Sequence, residues 1–141
     1  MNYYLAHPWS NNPAQSFQNA VKWTRQLREM QLIVFSPILH THPYWKELKA
    51  EIEYTDVEKE NNEYIKKEDW LEWDLAILGS LKNAVVLMSD TAFHFDYNAI
   101  GAEHKIVFNS KGCEKEYWYA IANEIPVYVL EDFLQGNMER I

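Results

Sequence analysis

The segment Ser110-Lys111-Gly112-Cys113-Glu114-Lys115-Glu116 carries a hydroxyl, a glycine and a carboxylate in the order Ser-x-Gly-x-x-x-Glu. Ser110 can cap a helix, Gly112 lets the chain turn tightly and a ligand approach the backbone, and the free N–H groups of a helix start suit an anion. Glu116 then stands one turn inside the helix. The same residues also suit a capped surface helix whose acidic first turn complements its dipole. Spacing alone leaves both readings open.

A second carboxylate, Asp74, lies within Asp69-Trp70-Leu71-Glu72-Trp73-Asp74-Leu75. Helical steps of four put it on one face with Trp70 and Leu78, so an acid sits in an apolar stripe. A carboxylate there needs a partner or a purpose. It is either an ordinary buried Asp capping a loop or half of an acid pair, and such pairs divide their work between attack and proton handling.

Two further segments supply polar and aromatic groups. In Ser36-Pro37-Ile38-Leu39-His40-Thr41-His42-Pro43 the two histidines are one residue apart, but no cluster of acids or cysteines accompanies them, so no metal site is expected. One of His40 and His42 is expected to line a pocket and the other to be structural. In Tyr4-Leu5-Ala6-His7-Pro8-Trp9-Ser10, Tyr4 offers a phenol near the end of a first strand, Trp9 a stacking surface and Ser10 a donor. Alternation points Tyr3 and Tyr4 to opposite sides, so one of them is plain core.

The elements that must position these groups alternate in type. Residues 2–6 read as a strand, and Ala14–Met30 as an amphipathic helix with Asn12 as cap and Pro13 at its first position. Leu32-Ile33-Val34-Phe35 is a continuous apolar run, the pattern of a strand covered on both faces. A helix over 68–81 is apolar around much of its circumference and must be buried by its neighbours. Residues 84–88 and 126–130 read as further strands, the second preceded by a helix from Gly112 to about Asn123, with a short turn or helix after Glu131. This order implies an α/β fold with an open parallel sheet of about four to five strands flanked by helices. Ligands of such sheets bind at the carboxyl ends of the strands, close to His7–Asn12, Ser36–Pro43, Ser89–Ser110 and the end of the chain.

With 141 residues, 48% of them hydrophobic, the chain suits one domain spanning residues 1–141. Two stretches interrupt the pattern: a charged excursion over 46–67, and an aromatic-rich insertion over 91–109 that suits a hairpin or a lid. The formal charge of −8 opposes binding to a nucleic acid polymer but leaves a single nucleotide possible. Cys113 is the sole cysteine, which excludes an internal disulfide and a cysteine-rich zinc site. No apolar run is long enough to span a membrane, and no secretory leader is evident. A soluble, cytoplasmic protein without membrane or cofactor is expected.

Taken in order, YLAHPWS, IVFSPILHTHP, DWLEWDLAIL, NAVVLM, SKGCEKE and IPVYVL resemble the landmarks of the nucleoside 2-deoxyribosyltransferase-like superfamily. The likeness is to its small bacterial and phage branch, with a YLA-x-P start and a SPI-x-H segment, and it covers almost the whole chain. The resemblance implies a flavodoxin-like or Rossmann-like sheet, homo-oligomeric assembly, and N-glycosidic cleavage or glycosyl transfer on a nucleoside or nucleoside 5'-monophosphate. It assigns Glu116 as the nucleophile that forms a covalent glycosyl-enzyme, Asp74 as acid/base or sugar contact, and Tyr4 as the group that orients Glu116. Ser110 and Gly112 correspond to the turn that receives a 5'-phosphate, while His7, Trp9, Ser10, His40 and His42 complete the substrate-binding set. The alternative is a non-catalytic protein that binds or sequesters a nucleotide or a nucleotide signal.

Overall fold

A computed structural model describes residues 1–9, 12–44, 47, 67–96 and 105–141, with 67–70 described by backbone alone. Ser10 and most of the 46–67 excursion lie outside the described residues, as does the middle of the 91–109 insertion. The fold is α/β, with a four-stranded parallel sheet flanked by helices.

Strands β1 (Asn2–Ala6), β2 (Ile33–Phe35), β3 (Ala84–Met88) and β6 (Val127–Val129) run in the order β2-β1-β3-β6, all parallel. The chain leaves β1 toward β2 and then crosses back to β3 on the other side. The direction of winding therefore reverses between β1 and β3, where open parallel sheets form a crevice at their carboxyl ends. Ser89 N–H donates to Ala6 O at 2.9 Å and keeps the two strand ends together there.

Period-two alternation divides the interior into two cores. On one face Tyr4, Val86, Met88 and Val127 pack against α3 (Lys67–Ser80) and α4 (Lys111–Ala122). On the other, Tyr3, Leu5, Val85 and Leu87 pack against α1 (Pro13–Glu29) and α5 (Leu130–Leu134). Each fully buried Leu, Met or Val contributes about 1.5–3 kcal/mol by leaving water. Tyr3 is the core tyrosine: its ring lies 5.5 Å from Phe133.

Local signals account for the element boundaries. The Asn12 side chain accepts from Gln15 N–H at 3.1 Å and starts α1, with Pro13 in the first turn where a missing N–H costs nothing. Ser36 likewise caps α2 (Pro37–His40), a single turn, so Ser36-Pro37 opens a helix as well as ending a strand.

Two sequence expectations are corrected. Strand β2 is not covered on both faces: it lies at the sheet edge, and Ile33 is 62% exposed. Helix α3 is not buried around its circumference either. Its described buried stripe is Leu71, Asp74 and Leu78, at steps of three and four, while Trp73 points outward and meets Tyr44 edge-on.

The 91–109 insertion begins with a 3-10 turn (Asp90–Ala92) and forms an antiparallel pair, β4 (Phe93–Asp96) with β5 (Lys105–Phe108). Phe93, Phe95, Ile106 and Phe108 join the core that contains Tyr4, and Phe108 meets Tyr117 of α4 at 5.1 Å. The hairpin therefore extends the α3/α4 layer.

Candidate active site

Three ionisable groups from three elements converge on that layer. Tyr4 is the third residue of β1 and 0% exposed, Asp74 lies in the middle of α3 and is 0% exposed, and Glu116 on α4 is 6% exposed. Tyr4 senses the charges of both Glu116 and Asp74, and Glu116 senses Asp74. The structure thus brings together the three residues of the expected catalytic set. They sit below the carboxyl edge of the sheet, since Ala6 lies roughly 7 Å further along β1 at ~3.3 Å per residue.

Helix geometry distinguishes the two glutamates of SKGCEKE. Cys113, Glu116, Tyr117 and Ala120 form the buried stripe of α4, at steps of three, one and three, whereas Glu114 and Lys115 are exposed. Glu114 takes the surface role of an acid near a helix start, and Glu116 faces the core.

Burial dominates the proton affinities. It pushes the Glu116 carboxyl up to about 8; the Tyr4 phenol opposes this, the Asp74 charge adds to it, and the Cys113 thiol opposes it again. Burial likewise raises Asp74 to about 7, against a stabilising contact from Thr41. The two carboxyls are close enough to titrate as a coupled pair. Burial and both carboxylates hold the Tyr4 phenol well above its ordinary value, so it stays a donor. Its hydroxyl and Glu116 influence each other without closing a hydrogen bond of standard geometry. Such an approach tightens in many enzymes only when substrate is bound.

Thr41, which the sequence reading did not select, holds Asp74. Its Oγ1 lies 2.6 Å from Asp74 Oδ1 and 2.9 Å from Pro37 O. The contact spans 33 residues of sequence, and no local pattern signals it. Asp74 Oδ2 is buried with no hydrogen-bond partner among the described residues.

The histidines separate as expected of a pair with different duties. His40 is exposed, stacks on Phe35 at 4.9 Å and places Nδ1 2.8 Å from Ser36 O, which makes it the structural one. His42 is buried against Trp9, ring centroids 3.8 Å apart, and both line a cleft of about 620 Å³ with Phe17, Ile38 and Glu47. The turn after α2 thus directs Thr41 to the acids and His42 to the cleft. His7 belongs to the opposite face: it meets Trp23 edge-on at 5.0 Å, and burial lowers it to about 4, so it is neutral at pH 7.

Ser110 caps α4, its Oγ accepting from Cys113 N–H at 3.3 Å, which leaves its own hydrogen for another acceptor. The tight turn expected at Gly112 is absent. Gly112 is already helical, its φ is not left-handed, and a Cβ there would meet only Ser110 Oγ at 3.8 Å. The tighter approach is at Gly79 on α3, where a Cβ would meet the Tyr119 hydroxyl of α4, so that side chain would have to shift to admit one.

At the end of β3, Glu131 accepts from Ser89 Oγ and from Asp90 N–H, both at 2.7 Å, and ties the root of the hairpin to α5. Among the described residues no group of three or more His, Cys, Asp and Glu is placed to hold a metal ion, and no helix is long and apolar enough to cross a membrane. Comparison of the chain with protein-family models, with curated proteins and with solved structures gives no match.

Proposed function

We propose that the protein cleaves or transfers the N-glycosidic bond of a nucleoside or nucleoside 5'-monophosphate, with Glu116 as nucleophile and Asp74 as acid/base. The observation that carries this reading is the buried pair itself. Burial raises both carboxyls, to about 7 and about 8, so as a coupled pair they share one proton and one negative charge near neutral pH. One charge and one proton are what a retaining glycosyl transfer needs: a carboxylate to attack the anomeric carbon and an acid to protonate the leaving base.

Tyr4 donates toward Glu116 and favours the charge on that carboxyl. The Glu116–C1' bond forms as the C1'–N bond breaks, and the Asp74 proton goes to the departing base. Water or a second base then gives a proton to Asp74 and displaces Glu116, restoring both groups. The Trp9–His42 cleft takes a flat ring, and the start of α4 supplies N–H donors for a 5'-phosphate. The single cysteine, buried and unpaired, fits a reducing cytoplasm. Trp73 on α3 and Trp118 with Ile121 on α4 are exposed, apolar surface of the kind a second copy of the chain covers.

One observation favours the binding-only alternative. The described cleft is lined by Trp9 and His42 but not by the acids, and the hairpin phenylalanines pack into the same core as Tyr4. Incubation with a panel of deoxynucleosides and their monophosphates separates the two. Free base released by the wild type and lost in Glu116→Ala supports the enzyme; stabilisation by a nucleotide without base release supports the binder.

A further inference from the structure

Thr41 Oγ1 lies within hydrogen-bond distance of two oxygens, Asp74 Oδ1 at 2.6 Å and Pro37 O at 2.9 Å, but has one hydrogen to give. Pro37 O is a carbonyl and can only accept. When Asp74 is ionised, the Thr41 hydrogen stabilises Oδ1. When Asp74 holds a proton, that proton can be donated to Thr41 Oγ1 while Thr41 donates to Pro37 O. Both arrangements keep Asp74 Oδ1, Thr41 Oγ1 and Pro37 O hydrogen-bonded with no heavy atom moved. The Pro37 carbonyl is fixed for this purpose, because Pro37 opens α2 and Thr41 N–H also donates to it at 2.9 Å.

We propose that Thr41 is a positioning residue whose hydroxyl turns between Asp74 and Pro37 O, so that Asp74 is held in the same place as an acid and as a base. The inference rests on the glycosyl-transfer reading for the use of Asp74, though the hydroxyl switch itself does not. In the first step Asp74 gives its proton to the leaving base, and the Thr41 hydrogen turns from Pro37 O to Oδ1. In the second step Asp74 takes a proton from the acceptor, and the Thr41 hydrogen returns. Asp74 also faces Glu116 from α4 and Tyr4 from β1, and among the described residues Thr41 is the group hydrogen-bonded to it.

The test is a carboxyl-carbon NMR titration of the protein without added ligand, comparing wild type, Thr41→Val and Thr41→Ser. Valine keeps the shape and removes the hydroxyl; serine keeps the hydroxyl. Thr41→Val is expected to move the Asp74 titration upward by about one pH unit, since the ionised form loses its donor, and Thr41→Ser to restore it. Thr41→Ala gives a second reading of the same shift if the core rejects valine. In turnover, Thr41→Val is expected to release base at least tenfold more slowly and to accumulate glycosyl-enzyme, because the second step needs ionised Asp74. An Asp74 titration unchanged in the valine and alanine variants overturns the proposal, as does a serine variant that behaves like valine. If the wild type releases no base, the titration still decides the role of Thr41; if it does and the titration is unmoved, Thr41 fails while the glycosyl-transfer reading stands.

Discussion

The Tyr4 phenol on β1 and the Glu116 carboxyl on α4 face one another inside the core, each shifting the proton affinity of the other. The phenol lowers that of Glu116, so Tyr4→Phe is expected to raise it. In the proposed reaction Glu116 must be ionised to attack, so Tyr4→Phe moves the acid limb of the pH-rate profile upward. Because the lost hydroxyl is buried without a closed hydrogen bond, stability should change by less than about 1 kcal/mol. Profiles and thermal melts of the two proteins check both statements; a profile identical to wild type removes Tyr4 from the mechanism.

The two raised carboxyls make folding stability depend on pH in a stated direction. Glu116 rises from 4.5 to about 8 and Asp74 from 3.8 to about 7, so above their ordinary values the folded protein binds more protons than the unfolded chain. Their stabilising contribution is complete at low pH and is lost as pH climbs through those ranges. His7, lowered from 6.5 to about 4, acts in the opposite sense and is lost as pH falls through that window. Denaturant titrations should therefore show stability falling from about pH 4.5 to 8, by at most about 1.4 kcal/mol per pH unit per carboxyl and partly offset by His7 below pH 6.5. Glu116→Gln should flatten that fall.

The same pair predicts a narrow optimum for base release. The state with one proton and one charge is most populated near neutral pH, so kcat/KM should be bell-shaped with its maximum near pH 7 to 8. A single-limbed profile would mean that one carboxyl takes no part.

The close contact of α3 with α4 fixes the relative placement of Asp74 and Glu116. Gly79→Ala adds a methyl that collides with the Tyr119 hydroxyl and lies 3.3 Å from its Cζ. Although alanine is the better helix former by about 1 kcal/mol, the displaced Tyr119 side chain is expected to cancel that gain, leaving the variant less stable by up to about 1 kcal/mol. Adding Tyr119→Phe should recover most of it, as read from a double-mutant cycle in urea.

Much of this arrangement was legible in the residues themselves. Strict alternation put Tyr3 and Tyr4 on opposite faces, and the steps that bury Cys113, Glu116 and Tyr117 are present in the sequence of α4. Strand order was not, because nothing local to residues 32–35 tells an edge strand from a central one, and Ile33 proved exposed. Thr41 was hidden between two histidines that drew attention by type, since its meaning depends on a residue 33 positions away. Gly112 drew attention by its motif and Gly79 did not, yet it is Gly79 that Tyr119 approaches closely.

The central claim is that Glu116 becomes covalently bonded to a sugar. A 2-fluoro-arabinosyl nucleoside slows release of such an intermediate, so intact-protein and peptide mass spectrometry after exposure reads it directly. One glycosyl adduct per chain is expected, located on Glu116 and absent in Glu116→Gln. A wild-type chain that binds the nucleoside, releases base and carries no adduct, or carries it on another residue, would contradict it.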